Sequence, residues 1–345
     1  MNKFMTNTDR SLKTFFDSYW FYGDLCVLLS NTQNGPYYIA NNYLNVYSYG
    51  WDTLSLYFDI EFRYRVSHIE LLKNNPFVEY QSIPRSSKSI TIEMLRRAID
   101  DGWYVLAQID KSLITDCPEA GITQHEALLY AYDEERFYFC DNGVHGKYVT
   151  NLSCKTDELM KAFQVIDEME WPEPVFWKEE ILLFRSKENN NYQLDLKHIY
   201  DSLKTYLGIR KDPIFEDIRF RSRYGNMQIF IGQAVYVHLA QFLIDFERNN
   251  ANTHMGAISV LCDHKSALIA TAEMLTNQYG VSNQYIDDLR GVQQNLVRIR
   301  MLILKYYMNW GDKELLDKIC NRIEQLKEKE YAILTSFIAE VEGII

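Results

Sequence analysis

The sequence predicts an α+β first half followed by an α-helical bundle, and three observations carry that prediction. Short elements of differing period alternate up to about residue 185. The stretch "SKENNNYQLD", residues 186–195, is polar and asparagine-rich, as a linker is. Beyond it, apolar residues recur at helical spacing almost to the C-terminus. The expected division is therefore an α+β domain over 1–185, a linker over 186–195 and a helical bundle over 196–345.

Within the first half, "FYGDLCVLLSNT" reads as a helix, "YYIANNYLNVYSY" is aromatic and mixed, and "LSLYFDIEFRYRV" alternates like a strand. "ITIEMLRRAIDDG" is an amphipathic helix with Gly102 as its stop signal. It leads into "WYVLAQID", a strand of the buried type ending at Asp110. A hairpin with its turn at "DEER" follows, and "EEILLFRSK" is the last strand. In the second half, "LKHIYDSLKTYLG", "NMQIFIGQAVYVHLAQFLIDFERN" and "MGAISVLCDHKSALIATAEMLTNQYG" read as helices. Two long helical stretches complete the chain, and Asp312 is placed to cap the last, with Glu314 in its first turn. There is no repeat at a fixed period, which argues against a solenoid.

Length and composition bound the function. The chain has 345 residues, 47% hydrophobic and 24% charged, enough for a sizeable core. Its 36 Lys and Arg against 47 Asp and Glu leave a net charge of −11, without a basic stripe to displace counterions from nucleic acid. The 25 tyrosines suit surfaces with apolar bodies and polar tips, such as grooves and interfaces. Six cysteines stand without a CxxC pair, which gives neither a disulfide framework nor zinc-ligand spacing. No Gly-rich phosphate loop occurs, so neither cofactor nor metal is expected. "MNKFMTNTDRSLKTFF" lacks an apolar signal core, and no apolar run of about 18 residues occurs. The expectation is a cytoplasmic protein without membrane contact, and its aromatic surface and long apolar helices would suit a homodimer.

The chemistry concentrates in "GITQHEALLYAYDEERFYFCDNG". His125 heads one strand of the hairpin and Asp141 ends the other. With a turn centred near residues 134 and 135, the two fall close to cross-strand partners. A carboxylate there can hold one imidazole nitrogen while the other faces substrate. A structural hydrogen bond tying the hairpin together is the competing explanation of the same spacing.

The same stretch resembles the His…GYD…D segment of papain-like cysteine enzymes, including bacteriocin-processing peptidases. The order of "ITIEMLRRAIDDGWYVLAQIDKSLI", the His strand, "RYGNMQIFIGQAVYVHLAQFLIDF" and "LVRIRMLILKYYMN…LLDKICNRIEQLKEKEYAILTSF" is similar to the butirosin biosynthesis protein H family, from about residue 15 onward. That resemblance implies a papain-like N-terminal domain and an α-helical C-terminal domain. It implies an acyltransferase, or a thioesterase-like enzyme, acting on an acyl, aminoacyl or peptidyl thioester of a carrier protein in nonribosomal peptide, polyketide or antibiotic biosynthesis. A small amine or peptide would be the acceptor. His125 matches the family's base and Asp141 its orienting acid.

The family's nucleophile is a Cys at the start of the domain's first helix, where the helix N-terminus favours thiolate and oxyanion. An ungapped reading of "FYGDLC" puts Phe21 or Tyr22 there, with Cys26 four or five residues on. Cys26 is then either a nucleophile brought round by a shifted helix start or a small core residue beside "VLL". Two functions stay open. One is a Cys26–His125–Asp141 acyltransferase. The other lacks the nucleophile, and either binds a carrier protein or intermediate or uses His125 as a general base without a covalent step. Cys140, Cys117 and Cys154 read as packing or surface thiols, His145 as surface, His254 and His264 as cap or packing groups, and Asp110 as a strand-end carboxylate near the expected cleft.

Overall fold

The computed structural model describes residues 12, 14–50, 58–62, 68–85, 90–115, 124–142, 148–168, 180–211, 228–249, 255–309 and 311–345. Their elements run in chain order α1 (Trp20–Leu29), α2 (Gly35–Asn42), β1 (Tyr47–Gly50), β2 (Phe58–Glu61), α3 (His68–Lys73) and β3 (Val78–Pro84). Then come α4 (Ile92–Asp100), β4 (Tyr104–Asp110), a 3-10 turn (Lys111–Leu113), β5 (Gln124–Tyr132), β6 (Arg136–Asn142), β7 (Tyr148–Lys155), α5 (Thr156–Glu168) and β8 (Glu180–Ser186). The remainder is α6 (Leu196–Tyr206), β9 (Gln228–Ile231), α7 (Ala234–Asn249), α8 (Met255–Tyr279), α9 (Gln284–Met308) and α10 (Lys313–Glu342). The fold is mixed α+β, with a six-stranded antiparallel sheet and a C-terminal group of helices.

The chain divides into two compact units, Met1–Gly35 with Val66–Asn190, and Pro36–Arg65 with Asn191–Ile345. The division near residue 190 agrees with the polar stretch in the sequence, where 187–195 carry neither helix nor strand. One assignment is corrected. Residues 36–65 belong with the second unit, because β1 pairs on one side with β2 and on the other with β9. Among its described residues the second unit is therefore helical apart from the three-stranded sheet β2-β1-β9 and its connections.

A second correction follows from the first. "NMQIFIGQAVYVHLAQFLIDFERN" is not one helix but β9 followed by α7. Gly232 makes the break: its φ is +58°, and a Cβ there would stand 2.1 Å from the Tyr206 carbonyl oxygen. Only glycine accepts both conditions. The alternating apolar residues before it are then drawn into the ladder on β1, with Tyr47 opposite Ile231.

In the first unit the strand order is β3-β8-β4-β5-β6-β7, antiparallel throughout. Every residue of β4 is buried, which explains why "YVLAQID" reads as an unbroken apolar run. Helices α4 and α5 pack on one sheet face, and α1 packs on the sheet through β6 and β8. The α4–α5 side encloses a core of Leu95, Ile99, Trp103, Val105, Phe137 and Phe163, among others. Burial of this kind stabilises at about 25 cal/mol per Å² of apolar surface. Thr91 caps α4 by accepting from the Met94 N–H, which fixes where the chain leaves the helix to enter β4.

Candidate functional site

Three neighbouring strands end together and deliver the polar side chains. On β4 and β5, Ile109 stands opposite His125. On β5 and β6, Leu128 stands opposite Cys140, and the register shifts between Leu129 and Ala131. Continued to the strand ends, this register makes His125 and Asp141 diagonal neighbours, within reach of long side chains. His125 Nδ1 is 2.7 Å from Asp141 Oδ1. The Asn142 backbone N–H donates to that same oxygen. Lys111, one residue past β4, brings Nζ to 2.6 Å from Asp141 Oδ2, an ion contact lying off the hydrogen-bond direction. The same ammonium donates to the Asn142 carbonyl at 3.2 Å.

These contacts fix the imidazole's chemistry. Asp141 is fully buried and holds Nδ1–H, so in the neutral ring Nε2 carries the lone pair. Nε2 makes no hydrogen bond among the described residues, and the side chain is 15% exposed. Burial disfavours the imidazolium, but the Asp141 hydrogen bond and charge, with Glu126 in support, outweigh it and raise the His125 pKa above 6.5. Burial pushes the Glu126 carboxyl up as well. Asp110 is built differently. Burial alone would raise it, but Ser112 donates to it through both N–H and hydroxyl and Gln124 adds a third bond, so its pKa falls. It caps the 3-10 turn and thereby sets Lys111.

Helix α1 closes the arrangement. Its N-cap is Tyr19, and the first helical residue, Trp20, sets its indole edge-on to the His125 ring, with centroids 6.3 Å apart and planes at 85°. Gly23 lies under the Tyr148 ring, where a Cβ would meet ring carbons at 2.4 Å. The missing side chain lets Tyr148 cross the helix and donate its hydroxyl to Asp24. Burial raises the Asp24 pKa well above 3.8, and the charges of Asp141 and Glu126 add to the rise. Asp24 Oδ2 has no hydrogen-bond partner among the described residues. Burial likewise raises the Tyr148 hydroxyl and the Cys140 thiol.

The structure brings two of the three candidate catalytic residues together. Cys26 lies six residues beyond Trp20, about 9 Å along the helix axis at 1.5 Å per residue. It is fully buried, with Leu25, Val27, Leu28 and Leu29 buried around it. At the start of α1, where the family resemblance calls for a thiol, the chain presents Trp20 to the histidine; the sequence reading had put Phe21 or Tyr22 there. Those two rings instead pack against each other, 4.3 Å apart.

Cys140 is buried with Sγ 3.8 Å from the Thr150 carbonyl, and Cys154 is a core residue. Cys117, His145 and His254 lie outside the described residues. His264 is buried in the second unit, far from the strand ends in sequence and built into a network of its own. The groups that sequence reasoning missed are Lys111, Trp20 and Asp24. Asp110–Lys111 at the end of a buried strand next to the histidine strand was the available signal for the first. Among the described residues no group of three His, Cys, Asp or Glu is placed to hold a metal ion, and no helix is long and apolar enough to cross a membrane. No family model matches the chain, and no curated protein matches it either.

Proposed function

We propose that this chain is a papain-like member of the butirosin biosynthesis protein H-like group in which a His–Asp pair works without a thiol nucleophile, transferring an acyl, aminoacyl or peptidyl group from a carrier-protein thioester directly to an amine or to water. The observation that carries this reading is His125, held through Nδ1 by Asp141 at 2.7 Å with Nε2 left for substrate. The acceptor amine hydrogen-bonds to Nε2 and loses its proton there as its nitrogen attacks the thioester carbonyl. The tetrahedral adduct expels the carrier thiolate, and the imidazolium returns the proton to that sulfur. The products are an amide, or an acid when water attacks, and the free carrier thiol. Asp141 stabilises the transient imidazolium, and Lys111 holds Asp141 in place. A buried Cys26 has no part in these steps.

A second reading is a binding module for the carrier or its cargo. Trp20 favours it, since a buried indole at the helix start offers an aromatic wall and no chemistry. One experiment separates the readings. Purified protein is incubated with carrier-bound acyl thioesters and an amine panel, and thioester loss is followed by intact mass. The proposal expects turnover that His125→Ala abolishes and Cys26→Ala retains. Binding without turnover in any variant supports the module, and loss of turnover in Cys26→Ala restores the thiol triad.

A further inference from the structure

The second unit holds a groove that neither the hairpin chemistry nor the proposed reaction uses. It runs between α9 and α10 and has a volume of about 330 Å³. That is the lower end of the range of small-molecule sites. The floor is apolar, formed by Ile299 at 2% and Leu326 at 4% exposure. The walls carry three cations, Arg298, Arg322 and Lys329, with the amides Asn295 and Gln325, and no carboxylate.

Two features mark these cations as unpartnered within the chain. First, the three cations line one groove with no carboxylate among the lining residues. Second, Arg322 and Lys329 form no ion pair among the described residues, and the one bond of Arg298 is a 3.4 Å contact with Asn295. Other helix cations nearby are paired: Arg290 with Glu273 at 2.8 Å and Lys327 with Glu324 at 3.0 Å. In a chain of net charge −11, acidic partners are not scarce.

We propose that this groove binds a small molecule carrying a phosphate ester. Guanidinium forks from Arg298 and Arg322 and the Lys329 ammonium meet the phosphate oxygens, the amides of Asn295 and Gln325 complete the shell, and the apolar floor takes the rest of the ligand. Phosphate is favoured over a single carboxylate because two forked donors and a point cation exceed what one carboxylate accepts. The proposal stands independently of the acyl-transfer reading, since none of these residues belongs to the first unit.

The test is calorimetric titration of the full chain with adenosine diphosphate, coenzyme A and inorganic phosphate, beside an acidic helical peptide and sodium sulfate as controls. The expected result is saturable binding of a phosphate ester, weakened about tenfold or more in Arg322→Gln and again in Lys329→Gln. Both side chains are exposed, so the variants fold. Unchanged affinity in the Arg322→Gln/Lys329→Gln double variant overturns the proposal. So does binding of the acidic peptide with no phosphate ester bound, which would make the groove a protein-docking surface. An equal response to sulfate and to every ester would reduce it to a general ionic effect, and absence of binding by all three probes at millimolar concentration overturns it too.

Discussion

The molecule buries two clusters of charge, one in each unit, and they are finished differently. In the second unit Lys265 donates to Tyr206 Oη at 2.8 Å, to His264 Nδ1 at 3.0 Å and to Glu330 Oε1. Tyr206 donates in turn to Glu330 Oε2 at 3.0 Å, and His264 Nε2 donates to the Leu44 carbonyl at 3.0 Å. All three ammonium hydrogens, both imidazole nitrogens and both carboxylate oxygens are used, and all four residues are fully buried. Burial lowers the His264 pKa well below 6.5, the Lys265 charge lowers it further, and the ring is neutral. In the first unit the Lys111–Asp141–His125 chain rests on an ion contact at Asp141 Oδ2 and ends at His125 Nε2, which has no hydrogen-bond partner among the described residues. A closed network specifies packing. An open one leaves a group for something outside the protein.

The largest effect is expected where the closed network is broken. Lys265→Met leaves the Glu330 carboxylate buried without its cation and costs about 3–5 kcal/mol. Urea unfolding reads this, while turnover per folded molecule stays near wild type. Asp141→Asn should lower turnover per folded molecule on the order of 10³-fold by releasing the imidazole from its tautomer, and it also costs stability, because Lys111 is left buried without its counter-charge. Comparable losses of turnover per folded molecule in both variants would erase the distinction between the clusters. Gly23→Ala is next. It drives a methyl into the Tyr148 ring, separates the hydroxyl from Asp24 and costs about 1–3 kcal/mol.

The pH dependence sharpens the comparison further. The base form of His125 is required, so turnover should rise with pH through a midpoint above 6.5, and Asp141→Asn should lower that midpoint. For stability the sign is opposite. A raised histidine pKa contributes fully below the unfolded value of 6.5, and that contribution is lost as pH rises through the folded value. Asp24 behaves alike from a lower start: its raised pKa means stability falls as pH climbs from 3.8 through the folded value, and Asp24→Asn should flatten that slope. Chemical unfolding across pH checks both. His264 acts with the opposite sign: held neutral by burial, it lets stability fall as pH drops below the unfolded value of 6.5.

The sequence made the hairpin legible because its two signals are local: strand alternation on either side of "DEER" and a turn centre that places residues 125 and 141 together. The bulge between Leu129 and Ala131 was not visible, and it matters: the Tyr132–Phe137 register continued unbroken would set Asp141 opposite Leu128, whereas one residue of slip sets it opposite Ala127, diagonal to His125 on the same face. Trp20 and Asp24 were not legible, because what brings them to the histidine is tertiary: Tyr148 lying over a glycine 125 positions earlier in the chain. The same reason misplaced residues 36–65. β1 finds both of its partners by pairing, one of them at β9, and no periodicity within 36–65 announces a strand nearly two hundred residues away. The helices fared better, since α8, α9 and α10 declare themselves by spacing and caps, Asp312 accepting from the Leu315 N–H as expected.

The smallest effect is expected at Cys26. Its replacement by alanine removes one buried sulfur, at about 1 kcal/mol of stability, with turnover retained. The most direct measurement of the central claim watches for the intermediate that a thiol would form. The protein is turned over on excess acyl-carrier thioester, quenched in acid and weighed intact. The account predicts the unmodified mass throughout turnover, in wild type and in Cys26→Ala alike. An acyl adduct that accumulates in wild type and disappears in Cys26→Ala would contradict it.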